Sequence, residues 1–212
     1  MAVSFEESWG ALDPAVVRSL ELAHQSLVAG GLAVGSVITD ALGRIVAEGR
    51  NRAYDPATGA DPLEATPLAH AEMNALARIA TDADTEQLTI WSTQQPCSMC
   101  AAAIDFVGIS RVKTVATDPS DPTRRVTEVL DDSWVLLATV MFLIGPIRRG
   151  GPNHPMVLAN RPQEPEAVEF AQRTASTGNH PLIDGRPLAE AVESTWIDLQ
   201  TSGLARHQRR RG

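Results

Sequence analysis

The chain has 212 residues, of which 43% are hydrophobic and 21% charged, so it can bury a sizeable core and has an ordinary globular composition. Its formal net charge is -8, which makes it a poor match for a phosphate backbone and disfavours extended nucleic-acid binding. The most apolar run, residues 134–144, is too short to cross a bilayer, and the N-terminus has no apolar core of signal-peptide length. We therefore expect a cytoplasmic protein without a membrane partner.

The first half of the chain alternates between helical and extended patterns. Asp13-Pro14 is a typical helix start, and Gly30-Gly31 a typical helix end. Two apolar runs around Asp40–Gly43 predict a β-hairpin, and Gly35 in its first strand indicates close approach by another group, such as a ligand. After a loop rich in proline, glycine and aspartate, helices are predicted over 69–79 and 96–107, and strands over 87–93 and 111–116. Strands that alternate with helices predict a mixed or partly parallel sheet with helices on its faces.

The second half has weaker patterns. We expect helices over 126–130 and 134–143, the latter with a strand as the alternative, and amphipathic helices over 165–174 and 188–199. Gly150-Gly151-Pro152 marks a break, so we divide the chain into a domain over 1–150 and a helical C-terminal extension over 151–212 that packs on it. The basic tail from Arg206 to Arg211 is predicted to be disordered.

Two short motifs carry the chemistry. His70-Ala71-Glu72 lies at the start of one predicted helix, and Pro96-Cys97-Ser98-Met99-Cys100 at the start of another. One imidazole and two thiolates are good zinc ligands, and three protein ligands leave a fourth position open for water. Glu72 cannot easily bind the same ion from a helix two residues after His70, but it can reach a water molecule there as a proton carrier. The non-catalytic alternative is a closed structural zinc site, which needs a fourth Cys or His ligand. Both cysteines of the chain lie in this motif and the other four histidines are far away in sequence, so the sequence disfavours this alternative.

The pattern H-x-E followed by P-C-x-x-C resembles the zinc-binding signature of the cytidine/deoxycytidylate deaminase superfamily, which includes guanine deaminases and tRNA adenosine deaminases. The resemblance runs from about residue 16 to 116 and also includes Ala33-Val34-Gly35-Ser36-Val37 and Asn51. It implies an α/β fold, a cytidine-deaminase-like three-layer α/β/α sandwich with a mixed central sheet, here with a C-terminal helical extension.

The resemblance also implies roles for individual residues. In this family the counterparts of His70, Cys97 and Cys100 bind Zn2+, and the counterpart of Glu72 carries protons. Substrate contacts are implied for Asn51, the backbone N–H of Ala71, and Val34 and Gly35 of the first hairpin strand. From its chemistry alone Asn51 is better explained as a turn residue, and only its family position favours a substrate contact.

One departure leaves the substrate class open. Many purine-type members have an apolar residue and a carboxylate before the P-C of the second motif, whereas this chain has Gln94 and Gln95. The resemblance nevertheless implies a hydrolase acting on C–N bonds of cyclic amidines in purine or pyrimidine metabolism. We expect hydrolytic deamination of a free nucleobase or nucleoside by a homodimer.

Two alternatives stay open. The first is a tRNA adenosine-to-inosine deaminase that uses the basic tail, although the acidic charge disfavours nucleic acid. The second is a non-catalytic zinc-binding partner subunit, against which the complete H-x-E motif counts, since a subunit without chemistry has no need of the glutamate.

Overall fold

The computed structural model describes residues 3–59, 61–118, 127–128 and 130–211. The strands are β1 (Gly35–Thr39), β2 (Ile45–Arg50), β3 (Thr89–Gln94), β4 (Arg111–Ala116) and β5 (Thr127–Glu128). The helices are α1 (Phe5–Gly10), α2 (Pro14–Val28), α3 (Ala71–Leu76), α4 (Ser98–Val107), α5 (Asp132–Gly150), α6 (Pro155–Asn160), α7 (Pro165–Ser176) and α8 (Leu188–Arg211). Single 3-10 turns span Thr85–Gln87 and Pro181–Ile183.

The strands form one mixed sheet in the order β2-β1-β3-β4-β5. The predicted hairpin pairs β1 with β2 antiparallel, and β1 also pairs antiparallel with β3. Parallel pairing then joins β3 to β4 and β4 to β5. The sheet is therefore mixed, as predicted.

Helices cover both faces of the sheet, because alternate side chains of each strand point to opposite sides. Val37 and Trp91 pack on one side, in the core that α2, α5, α7 and α8 build. Their neighbours Ile38 and Ile90 pack on the other side, with apolar residues of α3 and α4. This arrangement is the predicted three-layer α/β/α sandwich, and α7 and α8 add a further layer over α5.

Local chemistry explains the starts and ends of the elements that lead to the motifs. The Asp13 carboxylate accepts a hydrogen bond from the Ala15 N–H at 2.8 Å, and Pro14 opens α2. In the hairpin, Asp40 Oδ1 accepts hydrogen bonds from the Leu42 and Arg44 N–H groups. These bonds close the tight turn that brings β2 back along β1.

The C-terminal segment differs from its prediction. The basic tail is not disordered, because α8 continues to Arg211 and its arginines pair with acidic residues of an earlier segment. Arg206 forms two hydrogen bonds with Glu164, at 2.6 and 2.8 Å, and Arg209 pairs with Glu166. The division at residue 150 coincides with the end of α5 and stays a prediction.

The region before α5 also differs. A helix was predicted over 126–130, but Thr127–Glu128 pair with β4 as a strand, and the rest of that prediction lies outside the described residues. The long apolar run that follows is helical, since it lies within α5. No helix of the described residues is long and apolar enough to cross a membrane.

Candidate active site

His70 is the residue that directly precedes α3, and its backbone is extended (φ -69, ψ 157). Asn74, one turn later, holds this helix start in place: its Nδ2 donates to the carbonyls of Ala69, at 3.2 Å, and Arg50, at 2.9 Å. Helix α3 lies very close to β2, because a Cβ on Gly49 would come within 2.5 Å of the Ala71 carbonyl oxygen. The position of His70 is therefore fixed by the end of β2.

Cys97 stands in the same position before α4, and Cys100 lies in the first turn of that helix. The three donor atoms of His70, Cys97 and Cys100 all lie within 4.8 Å of one another. His70 Nδ1 is 3.6 Å from Cys97 Sγ and 3.5 Å from Cys100 Sγ. Ordinary Zn–N and Zn–S bond lengths in a tetrahedral site place nitrogen and sulfur about 3.6 Å apart. Both the donor set and its spacing therefore fit Zn2+.

One of the two thiols, that of Cys97, already favours ionisation at this position. Hydrogen bonds from Cys100 and then His70 lower the pKa of Cys97 to about 3. The same hydrogen bond with Cys97, together with burial, raises the pKa of the Cys100 thiol. The pKa of His70 is raised, chiefly by its hydrogen bond with Cys97. One thiolate is thus available without a metal, and binding of a cation favours loss of the second proton.

Glu72 is 3% exposed and lies next to this cluster. Burial raises the pKa of its carboxyl group above the ordinary value. Ser92 of β3 donates a hydrogen bond to Glu72 Oε1 at 2.8 Å, which fixes the carboxyl group against the sheet. Such a buried carboxyl group can hold or release a proton according to what approaches it.

The cluster opens into a cavity of about 300 Å³ between the sheet, α3, α4 and the C-terminal helices. Its lining consists of Leu32, Val34, Asn51, His70, Glu72, Gln94, Gln95, Cys97, Thr117, Asp118, Phe142, Met156, Ala159 and Asn160. Five of the predicted site residues, Val34, Asn51, His70, Glu72 and Cys97, therefore share one cavity. Its volume is at the small end of the range for ligand pockets.

Asn51 forms the hydrogen bond of a turn residue and also lines the cavity, while its predicted substrate contact stays a prediction. Its Oδ1 accepts a hydrogen bond from the Ala53 N–H at 3.1 Å, which is the behaviour of a turn residue. Its side chain is nevertheless buried at 2% exposure and lines the cavity. No group in the described ranges hydrogen-bonds to Asn51 Nδ2, so this donor is available to a ligand.

Gly35 and Ala71 do not line the cavity. The group that comes close to Gly35 is the backbone of α2 and not a ligand, because a Cβ there would lie 2.1 Å from the Ser19 carbonyl oxygen. The close approach predicted at Gly35 is therefore confirmed, with α2 as the approaching element, and the predicted substrate contact of Gly35 stays a prediction. Ala71 is fully buried in the first turn of α3, between His70 and Glu72, and its predicted substrate contact stays a prediction.

Four of the lining residues missed from the sequence come from helices in the second half of the chain. Phe142 belongs to α5, and Met156, Ala159 and Asn160 belong to α6. No motif indicates them, because they reach the cavity only through the packing of α5 and α6 on the rest of the fold. Asp118, in the loop after β4, also lines the cavity.

Comparison with known proteins matches this region to a family. Residues 13–116 match the family model described as the cytidine and deoxycytidylate deaminase zinc-binding region. This part of the chain belongs to the cytidine/deoxycytidylate deaminase superfamily. The match includes the metal cluster and Glu72 but ends before α5, so the C-terminal part of the cavity lies outside it.

Named relatives of this deaminase segment differ in what they act on. The tRNA-specific adenosine deaminase of Haemophilus influenzae is 33% identical over 120 residues, which are 50% of this chain and 65% of the relative. The tRNA(Ile)-lysidine synthase of Deinococcus radiodurans is 31% identical over 157 residues, but these cover only 25% of it. Among solved structures, guanine deaminase from Bacillus subtilis is 28% identical, with a TM-score of 0.41, over 49% of this chain and 63% of that chain. The chain thus spans less than two thirds of each of these three proteins.

Proposed function

We propose that this protein is a zinc-dependent hydrolytic deaminase of a free nucleobase or nucleoside. The proposal rests on one observation: the His70/Cys97/Cys100 cluster, the buried carboxyl group of Glu72 and the available amide donor of Asn51 lie at one small cavity. The amino group of the substrate ring is replaced by a carbonyl group, and ammonia is released. We further propose that the enzyme is a cytoplasmic homodimer.

The proposed roles follow from the positions of the side chains. His70, Cys97 and Cys100 would hold the zinc ion, which lowers the pKa of a water molecule to about 7 when bound. Glu72 would accept a proton from the attacking water, pass it to the ring nitrogen, and deliver a proton to the departing amino group. The Nδ2 of Asn51 would donate a hydrogen bond to an acceptor atom of the ring, and Val34 would pack against the ring.

A tRNA adenosine deaminase is the second candidate, favoured by the relative from Haemophilus influenzae that carries this name. The basic tail gives it less support than the sequence suggested. Arg206 and Arg209 are paired with Glu164 and Glu166, so those two side chains are already engaged within the fold. The overall charge of -8 also disfavours a polyanion.

The test is ammonia release by zinc-loaded protein from a panel of free bases, nucleosides and a tRNA anticodon stem-loop. The matched pair of variants is Glu72→Gln, in the cavity, and Glu86→Gln, on an exposed 3-10 turn. We expect activity on a small substrate that Glu72→Gln loses by at least about 100-fold and Glu86→Gln keeps. Activity confined to the stem-loop would establish the second candidate instead. Zinc binding without activity on any substrate would support a non-catalytic partner subunit.

A further inference from the structure

Four side-chain amides line the cavity, those of Asn51, Gln94, Gln95 and Asn160, and in each of them one of the two polar atoms already forms a hydrogen bond within the protein. Asn160 Nδ2 donates to the Met156 carbonyl at 2.9 Å, and Gln94 Nε2 donates to the Ala138 carbonyl at 3.0 Å. A carbonyl can only accept, so these bonds fix the orientation of both amides and identify the remaining atom as oxygen.

The two remaining oxygens have no partner in the part of the chain that the structure describes. Neither Asn160 Oδ1 nor Gln94 Oε1 is a fully enclosed unpaired atom, so both keep some contact with solvent-accessible space. Asn160 is only 7% exposed and lines the cavity, and we infer that its free oxygen faces the cavity. A buried acceptor of this kind costs free energy unless a donor meets it.

Both amides are held rigidly by the C-terminal helices. Ala138, which fixes Gln94, belongs to α5, and Asn160 ends α6. The Asn160 carbonyl accepts the Glu164 N–H at 2.8 Å, and Glu164 forms the buried pair with Arg206 of α8. The acceptors are therefore set by the segment that lies outside the family match.

The chemistry of the free atoms indicates what they recognise. Two carboxamide oxygens accept hydrogen bonds, so their partners are N–H or O–H groups of the ligand. A free nucleobase has a ring N–H at the position to which a nucleoside attaches its sugar. Attachment of the sugar removes that donor and adds bulk, in a cavity of only about 300 Å³.

We propose that Asn160 and Gln94 determine substrate specificity by accepting hydrogen bonds from ring N–H groups, so that the cavity selects a free nucleobase over its nucleoside. This inference rests on the proposed function and refines its substrate class. Asn51 supplies a hydrogen-bond donor instead, so a base that presents both N–H groups and acceptor atoms satisfies Asn51, Gln94 and Asn160 together.

The test compares each free base with two derivatives that lack the N–H at the position of sugar attachment. The probes are guanine, adenine and cytosine, their 9-methyl or 1-methyl derivatives, and the three nucleosides. Dissociation constants are measured on zinc-loaded protein in a Glu72→Gln background, so that no probe is consumed, and ammonia release is measured separately with Glu72 intact. The variants are Asn160→Leu and Gln94→Leu, on different elements, and Asn153→Leu is the matched control, because Asn153 is exposed and does not line the cavity.

We expect at least one free base to bind about 10-fold or more tightly than its methyl derivative and its nucleoside. Asn160→Leu and Gln94→Leu should each reduce this preference by about 10-fold, while Asn153→Leu leaves it unchanged. Equal binding of base and methyl derivative, tighter binding of a nucleoside, or a preference that survives both leucine variants would overturn the proposal. A preference that depends on Asn160, without ammonia release from any probe, would support this inference and contradict the proposed function.

Discussion

Replacement of Arg206 by leucine should strongly destabilise the protein. The Arg206 side chain is 2% exposed and its partner Glu164 is 7% exposed, so the substitution removes both Arg206 hydrogen bonds from a buried carboxylate, while the more exposed Arg210 stays 3.7 Å away. Asp132 also pairs with Arg206 and, at 22% exposure, retains access to water. Removal of one member of a buried pair costs about 3–5 kcal/mol, because the remaining charge is poorly solvated, and the distant, 42% exposed Arg210 offsets only part of this loss.

For a chain of this size that loss corresponds to a decrease in Tm of about 6–20 °C. The assay is thermal and urea unfolding of zinc-loaded protein at pH 7.5. Arg211→Leu is the matched control, since it removes the same side chain from an exposed position of the same helix, and we expect a change within about 0.5 kcal/mol. The double variant Arg206→Leu/Glu164→Leu removes both charges and should recover most of the loss.

The reasoning would be refuted if Arg206→Leu were as stable as Arg211→Leu. It would also be refuted if the double variant were less stable than Arg206→Leu alone, because the penalty would then not come from the buried carboxylate. Either result would also remove the argument that α8 fixes the position of Asn160.

Three further changes follow from the structure. Gly35→Ala should cost about 3 kcal/mol or more of unfolding free energy, because its Cβ would lie 2.1 Å from the Ser19 carbonyl oxygen, whereas Gly10→Ala, with nothing within 4 Å, should be neutral in the same urea titration. Burial lowers the pKa of His24, whose Nε2 contacts the Leu182 carbonyl. The contribution of His24 to the free energy of unfolding is therefore present above the ordinary pKa of 6.5 and is lost as the pH falls below 6.5. Unfolding measured at pH 7.5 and 5.5 should show this loss, and His24→Gln should make the loss smaller. If zinc is present at 1,000 times its dissociation constant, removal of the zinc by a chelator should lower Tm by about 8–16 °C, and addition of one equivalent of zinc should restore it. An unchanged Tm would contradict a metal site whose ligands come together only in the folded protein.

The metal cluster and the central sheet could be predicted because their determinants are local. The H-x-E and P-C-x-x-C motifs each span the start of a helix, and their residue types are those that bind zinc. The strand over 111–116 and the start of α2 were predicted at the observed residues, since an apolar run and an Asp-Pro cap need no distant partner.

What failed depends on contacts that are distant in sequence. The tail from Arg206 was predicted to be disordered because its partner, Glu164, lies more than forty residues earlier and nothing in the pattern joins them. Gly35 correctly indicated a close approach, but sequence cannot tell whether the approaching group is a ligand or, as here, helix α2. Asn160 and Phe142 reach the cavity only through the packing of α5 and α6, so no motif could identify them.

The most direct test of the central claim is ammonia release by zinc-loaded protein with Glu72 intact or replaced by glutamine. Glutamine has nearly the same shape and can still pair with Ser92, but it cannot carry a proton. We predict that both proteins bind one zinc ion and that only the protein with Glu72 releases ammonia from a free nucleobase. Equal turnover by Glu72→Gln with zinc bound would contradict the account, because the buried carboxyl group in this cavity would then have no part in the chemistry.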